Sequence, residues 1–365
     1  MSTSVFGPAE SKLFTLSVFI FLISGVTFVS ADECPSSGEY SFICGPKNAE
    51  DLVLVPETNW IIASGFGGGT SMYLIHSQNK TWSELHFTEA PAAPQNIQKY
   101  DTCSGSPSSS NFVAHGMNLL PGTNGHSTLY VVGHGDREAI EIFDVNANRD
   151  KPELTWTGCV MMPDGLAANS VASLGDGSLI ATIPLGVGKT IEDGLAGELT
   201  GAVYQWSPGD AGFTFVKGTE LPYPNGIEVS ANGEEFYVAS TGLGTVTAYS
   251  NSNPALQLRV TSKMTFAPDN LHMGPNGQLI TAGLIANDPS CGNAWGPNFD
   301  LEKFAACPRP FIVKAINPQS MEMTDIVHGP VNANFSNITM ALPVGNDIWI
   351  GTFAGDRIAY RTLKK

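Results

Sequence analysis

A single strand-and-turn phrase recurs six times along this chain, with successive openings about 45 to 67 residues apart, and few architectures are compatible with it. Each copy opens on a polar residue, runs into an alternating apolar strand, turns at Gly, Asn or Pro, and continues into a second, β-rich strand. A third strand carrying an aromatic residue follows. The first copy reads EDLVLVPETNWIIASG then SMYLIHS from Glu50, and the second HGMNLLPGTNGHSTLYVVGHG then AIEIFDV from His115. The third opens at Asn169 with NSVASLGDGSLIATI and continues as GAVYQWS; the fourth, NGIEVSANGEEFYVAST then GTVTAYS, opens at Asn225. The fifth begins at Asp269 and Asn270 with DNLHMGPNGQLITAG and resumes after an insertion as PFIVKAI, and the sixth is NITMALPVGNDIWIGTF then DRIAYRTL near Asn337.

Alternating strands joined by Asn-Gly and Gly-Asp-Gly turns are hairpin signals. No helical pattern intervenes between copies, which disfavours a parallel sheet with crossover helices. A repeat of this period built from three or four strands predicts an all-β, six-bladed β-propeller with residues 32–365 as one domain. Gly and Pro, 39 and 24 of 365 residues, supply the turns such a fold needs. In a propeller the innermost strands line a central channel, so the six opening residues should meet at one mouth of it.

The charge balance and the first residues limit partners and compartment. Lys and Arg number 18 against 34 Asp and Glu, a formal charge of −16, which excludes nucleic acid as a partner because phosphate binding rests on clustered cations. Residues Leu13 to Val29 form an apolar run after Lys12 that ends at Val29-Ser30-Ala31, the spacing of a signal-peptidase site. Residues 1–31 are therefore read as a signal peptide. A retained anchor is the alternative, and only then would the chain meet a membrane. Export to the secretory lumen or outside the cell makes the six cysteines disulfide-competent. Cys291 and Cys307 bracket the insertion CGNAWGPNFDLEKFAAC and form the simplest pair; Cys34 with Cys44 is the next, which leaves Cys103 with Cys159. The sequons at Asn79, Asn334 and Asn337 are compatible with N-glycosylation.

The converging residues carry the chemistry. Glu50, Asn169, Asn225, Asp269 and Asn270 offer two carboxylates and three amides, oxygen donors that suit calcium with its six to eight ligands. Each alone reads as an ordinary turn residue; the shared repeat phase is what sets them apart. His115 opens one copy and His134 ends the second strand of the same copy, so a hairpin brings both to one mouth, where a histidine is the default proton acceptor. His272 shares a strand face with Asn270, a position from which it could line the channel, and is given a minor role. His76, His86, His126 and His328 have surface or packing contexts.

The motifs EDLVLVP, AHGMNL, LYVVGHGD with EIFDV, PNGIEVS and PDNLHM, in this order from Glu50 to the C-terminus, resemble the paraoxonase/arylesterase family of calcium-dependent propeller hydrolases. Gluconolactonases and strictosidine-synthase-like proteins are its wider relatives. The resemblance implies a catalytic Ca²⁺ on Glu50, Asn169, Asn225, Asp269 and Asn270, and a histidine dyad of His115 and His134, the pair that favours the paraoxonase-like branch. It implies a lactone or aryl ester as the small-molecule substrate. A second, structural calcium of the family would fall on Asp51 and the Met117 carbonyl, but Ser170 stands where the family has an acidic residue. The family also ties an early cysteine to the last strand, where this chain has Arg361, so Cys44 is free for another partner. A serine hydrolase is excluded by the lack of a G-x-S-x-G elbow. A metal-free condensing enzyme and a non-enzymatic binding propeller are the alternatives, and the loops Thr190 to Thr200 and Cys291 to Cys307 are expected to set substrate size.

Overall fold

The computed structural model describes residues 34–67, 72–89, 100, 103–296 and 299–363; the expected signal peptide lies outside them. Five antiparallel sheets follow one another along the chain, each laid out in sequence order from the axis outwards. Their inner strands are Ala49–Leu54, Val113–Pro121, Ser170–Ser173, Pro224–Val229 and Leu271–Met273. The second blade gains a fifth strand, Phe87–Glu89, which pairs parallel to Glu153–Met161 at its edge. The sixth blade runs from Ile338–Val344 through Asp347–Thr352 to Arg357–Thr362, and its outermost strand is Ser41–Cys44 from the other end of the chain. The repeat read from the sequence thus corresponds blade for blade to a six-bladed β-propeller.

Period-two alternation explains how the blades bind one another. Along each strand successive apolar side chains go to opposite faces, and each face of a twisted blade meets a neighbour. In the closing strand Phe42 joins the core shared with the fifth blade while Ile43 joins the core shared with the first; in its partner strand Ala359 and Ile358 divide the same way. Six apolar clusters result, one in each interface between blades.

Ring closure rests on non-covalent contacts. Ser41, Phe42, Ile43 and Cys44 pair with Tyr360, Ala359, Ile358 and Arg357. Arg361, at the position where the resembled family has a cysteine, reaches Glu39 at 2.7 Å. Lys80 of the first blade bonds Asp347 at 2.7 Å and lies over the rings of Trp349 and Tyr360 in the sixth. The disulfides are Cys34–Cys44, Cys103–Cys159 and Cys291–Cys307, the three pairings expected. None of them joins the first strand to the last.

Asn79 and Asn334 are exposed, as acceptors for glycan must be, whereas Asn337 is only 5% exposed and its amide donates to Ala305 and Ala354 carbonyls. The third sequon is therefore a buried structural asparagine. Among the described residues no helix is long and apolar enough to cross a membrane.

The closure can be tested by equilibrium denaturation. Phe42→Ala should cost about 3–5 kcal/mol by emptying a buried aromatic site, whereas Glu39→Ala, which breaks a solvent-facing ion pair, should cost no more than about 1 kcal/mol.

Candidate active site

The opening residues are aimed at the axis by a repeated irregularity. In the first blade Ala49 pairs with Gly65 and Leu52 with Ala63, so Glu50 and Asp51 together oppose Ser64 alone. His115 and Gly116 oppose one residue in the second blade, and Asn225 and Gly226 one residue in the fourth; the sixth shifts register across Thr339. Such β-bulges turn a strand and re-aim its side chains. In the third and fifth blades Asn169 and Asn270 stand immediately before the inner strand instead.

A circuit of hydrogen bonds ties these segments together across all six interfaces. Met117 N–H donates to Asp51 Oδ2 at 2.7 Å, Gly116 N–H to the Asn169 carbonyl at 3.2 Å, and the Thr182 hydroxyl to the Asn225 carbonyl. Gly226 N–H then donates to Asp269 at 3.1 Å, Asn270 N–H to Thr339 at 3.0 Å, and the Thr339 hydroxyl to Glu50 at 2.6 Å. The glycines are required by this closeness. A Cβ on Gly116 would stand 2.5 Å from the Asn169 carbonyl oxygen, and one on Gly226 2.4 Å from the Leu271 nitrogen. The Asn-Gly of PNGIEVS is accordingly a contact between blades, not a turn.

Glu50, His115, Asn169, Asn225 and Asp269 all line one cavity of about 250 Å³ at this mouth of the channel. Asn270 stands beside Glu50, its amide nitrogen donating to Glu50 Oε1 at 2.6 Å. Asn225 likewise commits its nitrogen to the Thr241 hydroxyl at 3.1 Å. Four buried oxygens are left without a protein partner: Glu50 Oε2 and the Oδ1 atoms of Asn169, Asn225 and Asn270. Each unsatisfied buried acceptor costs about 1–3 kcal/mol, and a charged one more. Burial and then Asp269 and Asp51 push the Glu50 carboxyl well above its ordinary range. Burial, partly offset by a hydrogen bond from Asn225, pushes Asp269 up to about 7.

These groups fit a hard cation. Among the described residues no three His, Cys, Asp or Glu side chains gather as a metal-binding group, and the donors that do gather here are largely amide oxygens. Oxygen donors of this kind suit calcium better than the softer transition metals. A cation would also satisfy the four partnerless oxygens and neutralise the two carboxylates.

Beside the ring, His115 Nδ1 lies 3.1 Å from His134 Nε2, and His115 Nε2 lies 3.9 Å from Glu50 Oε2. The Phe66 ring stacks on His115 with centroids 4.2 Å apart and meets His134 edge-on. Burial, then the neighbouring His134, holds the His115 imidazole well below its ordinary value, so it is neutral and able to accept a proton.

Asp51 lies deeper and is fully engaged. Its Oδ2 accepts from Met117 N–H, while its Oδ1 accepts from Leu52 N–H at 2.8 Å and meets His272 Nε2 at 2.7 Å. Burial alone would lower His272, but Asp51 and then Glu228 raise it to about 9. His272 therefore supplies positive charge beside Asp51, and Met117 meets that carboxylate through its N–H, not its carbonyl. Ser170 is buried, its N–H donating to Thr182.

The two loops expected over the channel do reach the cavity. One holds the helix Ile191–Leu195, started by a reciprocal capping box of Thr190 and Asp193. Its Ile191 and Leu195 line the wall. From the other, Ala294, Phe299, Leu301 and Phe304 complete an apolar rim. Arg309 pins that insertion by donating to the carbonyls of Ile285, Ala286, Cys291 and Gly292. The remaining histidines sit where expected, His126 on Asp144 and His328 on Asp325 at the surface.

Gly226→Ala tests the circuit. The added methyl should cost about 1–3 kcal/mol through overpacking against the fifth blade, measured by denaturant unfolding.

No protein-family model matches the sequence, and no curated protein matches it. Solved structures do share its fold. A luciferin-regenerating enzyme superposes with a TM-score of 0.53 at 12% identity, over 88% of this chain and 92% of its own. A proposed gluconolactonase gives 0.51 at 17%, over 91% and 96%. A Bacteroides thetaiotaomicron protein of unknown function gives 0.52 at 10%, over 89% and 76%.

Proposed function

We propose that this chain is a secreted, calcium-dependent hydrolase of lactones or aryl esters. The observation that carries the reading is the set of four partnerless buried oxygens, on Glu50, Asn169, Asn225 and Asn270, beside a hydrogen-bonded histidine pair. Asp269 completes the donor set. The activity in the name of one structural neighbour, a proposed gluconolactonase, belongs to the same class. Three disulfides favour an oxidising, secretory setting. The exposed Asn79 and Asn334 are the proposed glycan acceptors. With both Asp51 oxygens engaged and His272 beside them, the reading needs only the one calcium.

When bound, calcium supplies Lewis-acid polarisation of the substrate carbonyl and stabilises the negative charge that develops on its oxygen. His115 accepts the proton of the attacking water through Nε2, the atom that faces Glu50 and the cavity. His134 orients His115 through the bond at Nδ1. Ile191, Leu195, Phe299, Phe304 and Phe353 exclude bulk water and pack against the apolar part of the ester. Apolar walls with a few convergent polar groups are the usual form of a small-molecule site.

Hydrolysis of γ- and δ-lactones and phenyl acetate should be abolished by excess EDTA and restored by calcium. Bound calcium without turnover on any of them would instead favour a binding propeller. His115→Gln should reduce kcat by roughly 100-fold or more with calcium content unchanged. Asp269→Ala should lose metal and activity together, read by elemental analysis and by the loss of calcium-induced thermal stabilisation.

A further inference from the structure

The loop from Gly135 to Glu138, between the second and third strands of the second blade, is anchored residue by residue. Asp136 accepts from the Ser108 N–H at 2.7 Å and from Asn111 Nδ2 at 2.8 Å. Arg137 forks onto Glu141 at 2.7 and 2.9 Å, and Glu141 is held from its other side by the Trp156 indole at 2.7 Å. The Glu138 carbonyl accepts from Met162 N–H at 2.9 Å. With its backbone fixed and its neighbours otherwise engaged, Glu138 places Oε2 2.5 Å from His134 Nδ1.

A carboxylate only accepts, and a neutral imidazole carries its proton on one nitrogen. The proton of His134 therefore belongs on Nδ1, which makes its Nε2 an acceptor. That acceptor faces His115 Nδ1 at 3.1 Å, so the proton of His115 belongs on Nδ1 as well. What remains is the lone pair of His115 Nε2, directed to the cavity. The three side chains run outwards in order, 11%, 17% and 41% exposed for His115, His134 and Glu138, so the carboxylate stands at the solvent end of the series.

We infer that Glu138 is a positioning residue for the histidine pair: it holds both imidazoles in the Nδ1–H form and so leaves His115 Nε2 as the basic atom facing the cavity. The catalytic consequence rests on the hydrolase reading given above; the tautomers do not. Outer acceptors that orient a working histidine elsewhere change activity by about 10- to 100-fold when removed.

The test is a ¹⁵N spectrum of histidine-labelled protein above neutral pH, with the two imidazoles assigned by His115→Gln and His134→Gln. The expected result is Nδ1–H at both positions in the wild type. Glu138→Ala should shift His134 towards Nε2–H and lower kcat by roughly 10- to 100-fold, with KM changed by less than about threefold. Glu138→Gln, whose amide oxygen still accepts from Nδ1–H, should keep the tautomers and recover most of kcat. Nε2–H or a doubly protonated His134 in the wild type would overturn the inference, as would an unchanged His134 spectrum in folded Glu138→Ala. If Glu138→Ala does not fold, the wild-type spectrum still decides. If the wild type hydrolyses no lactone or ester, the hydrolase reading fails while the tautomer measurement stands.

Discussion

The circuit of hydrogen bonds around the channel mouth is the constraint on which the remaining structure depends. Six contacts, from Asp51 with Met117 round to Thr339 with Glu50, join each blade to the next near the channel, three between backbone groups and three through the side chains of Asp51, Thr182 and Thr339. They require main chains to approach more closely than a side chain allows, and this is why glycine stands at 116 and 226. They also consume donors. With the amide nitrogen of Asn225 committed to Thr241 and that of Asn270 to Glu50, the Oδ1 atoms of the same residues are left buried without a protein partner. The assembly that closes the propeller therefore creates the oxygen-rich site, and a cation there would favour the closed ring.

The outer parts of the blades answer a different requirement. Alternating side chains divide between two neighbours, and six apolar clusters provide the bulk of the burial. The first strand completes the last blade without a covalent tie between them. Arg361 reaches Glu39 at the edge, but partly exposed ion pairs contribute little, and the apolar contacts of Phe42 and Ile43 carry the closure.

Two charged centres share the channel with different solutions to burial. At the mouth, burial first, and then neighbouring carboxylates (Asp269 and Asp51 for Glu50, Asp51 for Asp269), shift the Glu50 and Asp269 carboxyl groups up. Below, Asp51 keeps the protonated His272 beside it, with Glu228 on the far side of the ring at 3.9 Å. Adjacent residues in one bulge, Glu50 and Asp51, thus serve two sites, one whose oxygens fit an external cation and one in which His272 stands beside the carboxylate.

Much of this was written in the residue order. The six-fold phrase, its period-two alternation and its turn residues determined the blades, because hairpins are local and their signals lie within a few residues of one another. The shared phase picked out Glu50, His115, Asn169, Asn225 and Asp269 of the cavity wall, with Asn270 beside Glu50, since equal positions in equal blades face one axis; the sixth opening residue, Asn337, does not line the cavity, and Ile338 and Thr339 do so in its place. The disulfide pairing was legible too, because each bond closes a segment within or beside one repeat. What depended on distance in space was not. The roles of Glu138 and Phe66, the engagement of Asp51 by His272, the burial of Asn337 and the meaning of Gly226 arise from contacts between loops and blades far apart or out of phase in the chain. No periodicity records such contacts. Only when the sixth blade has closed on the first do the backbone approaches exist that decide which polar atoms are satisfied and which are left for a ligand.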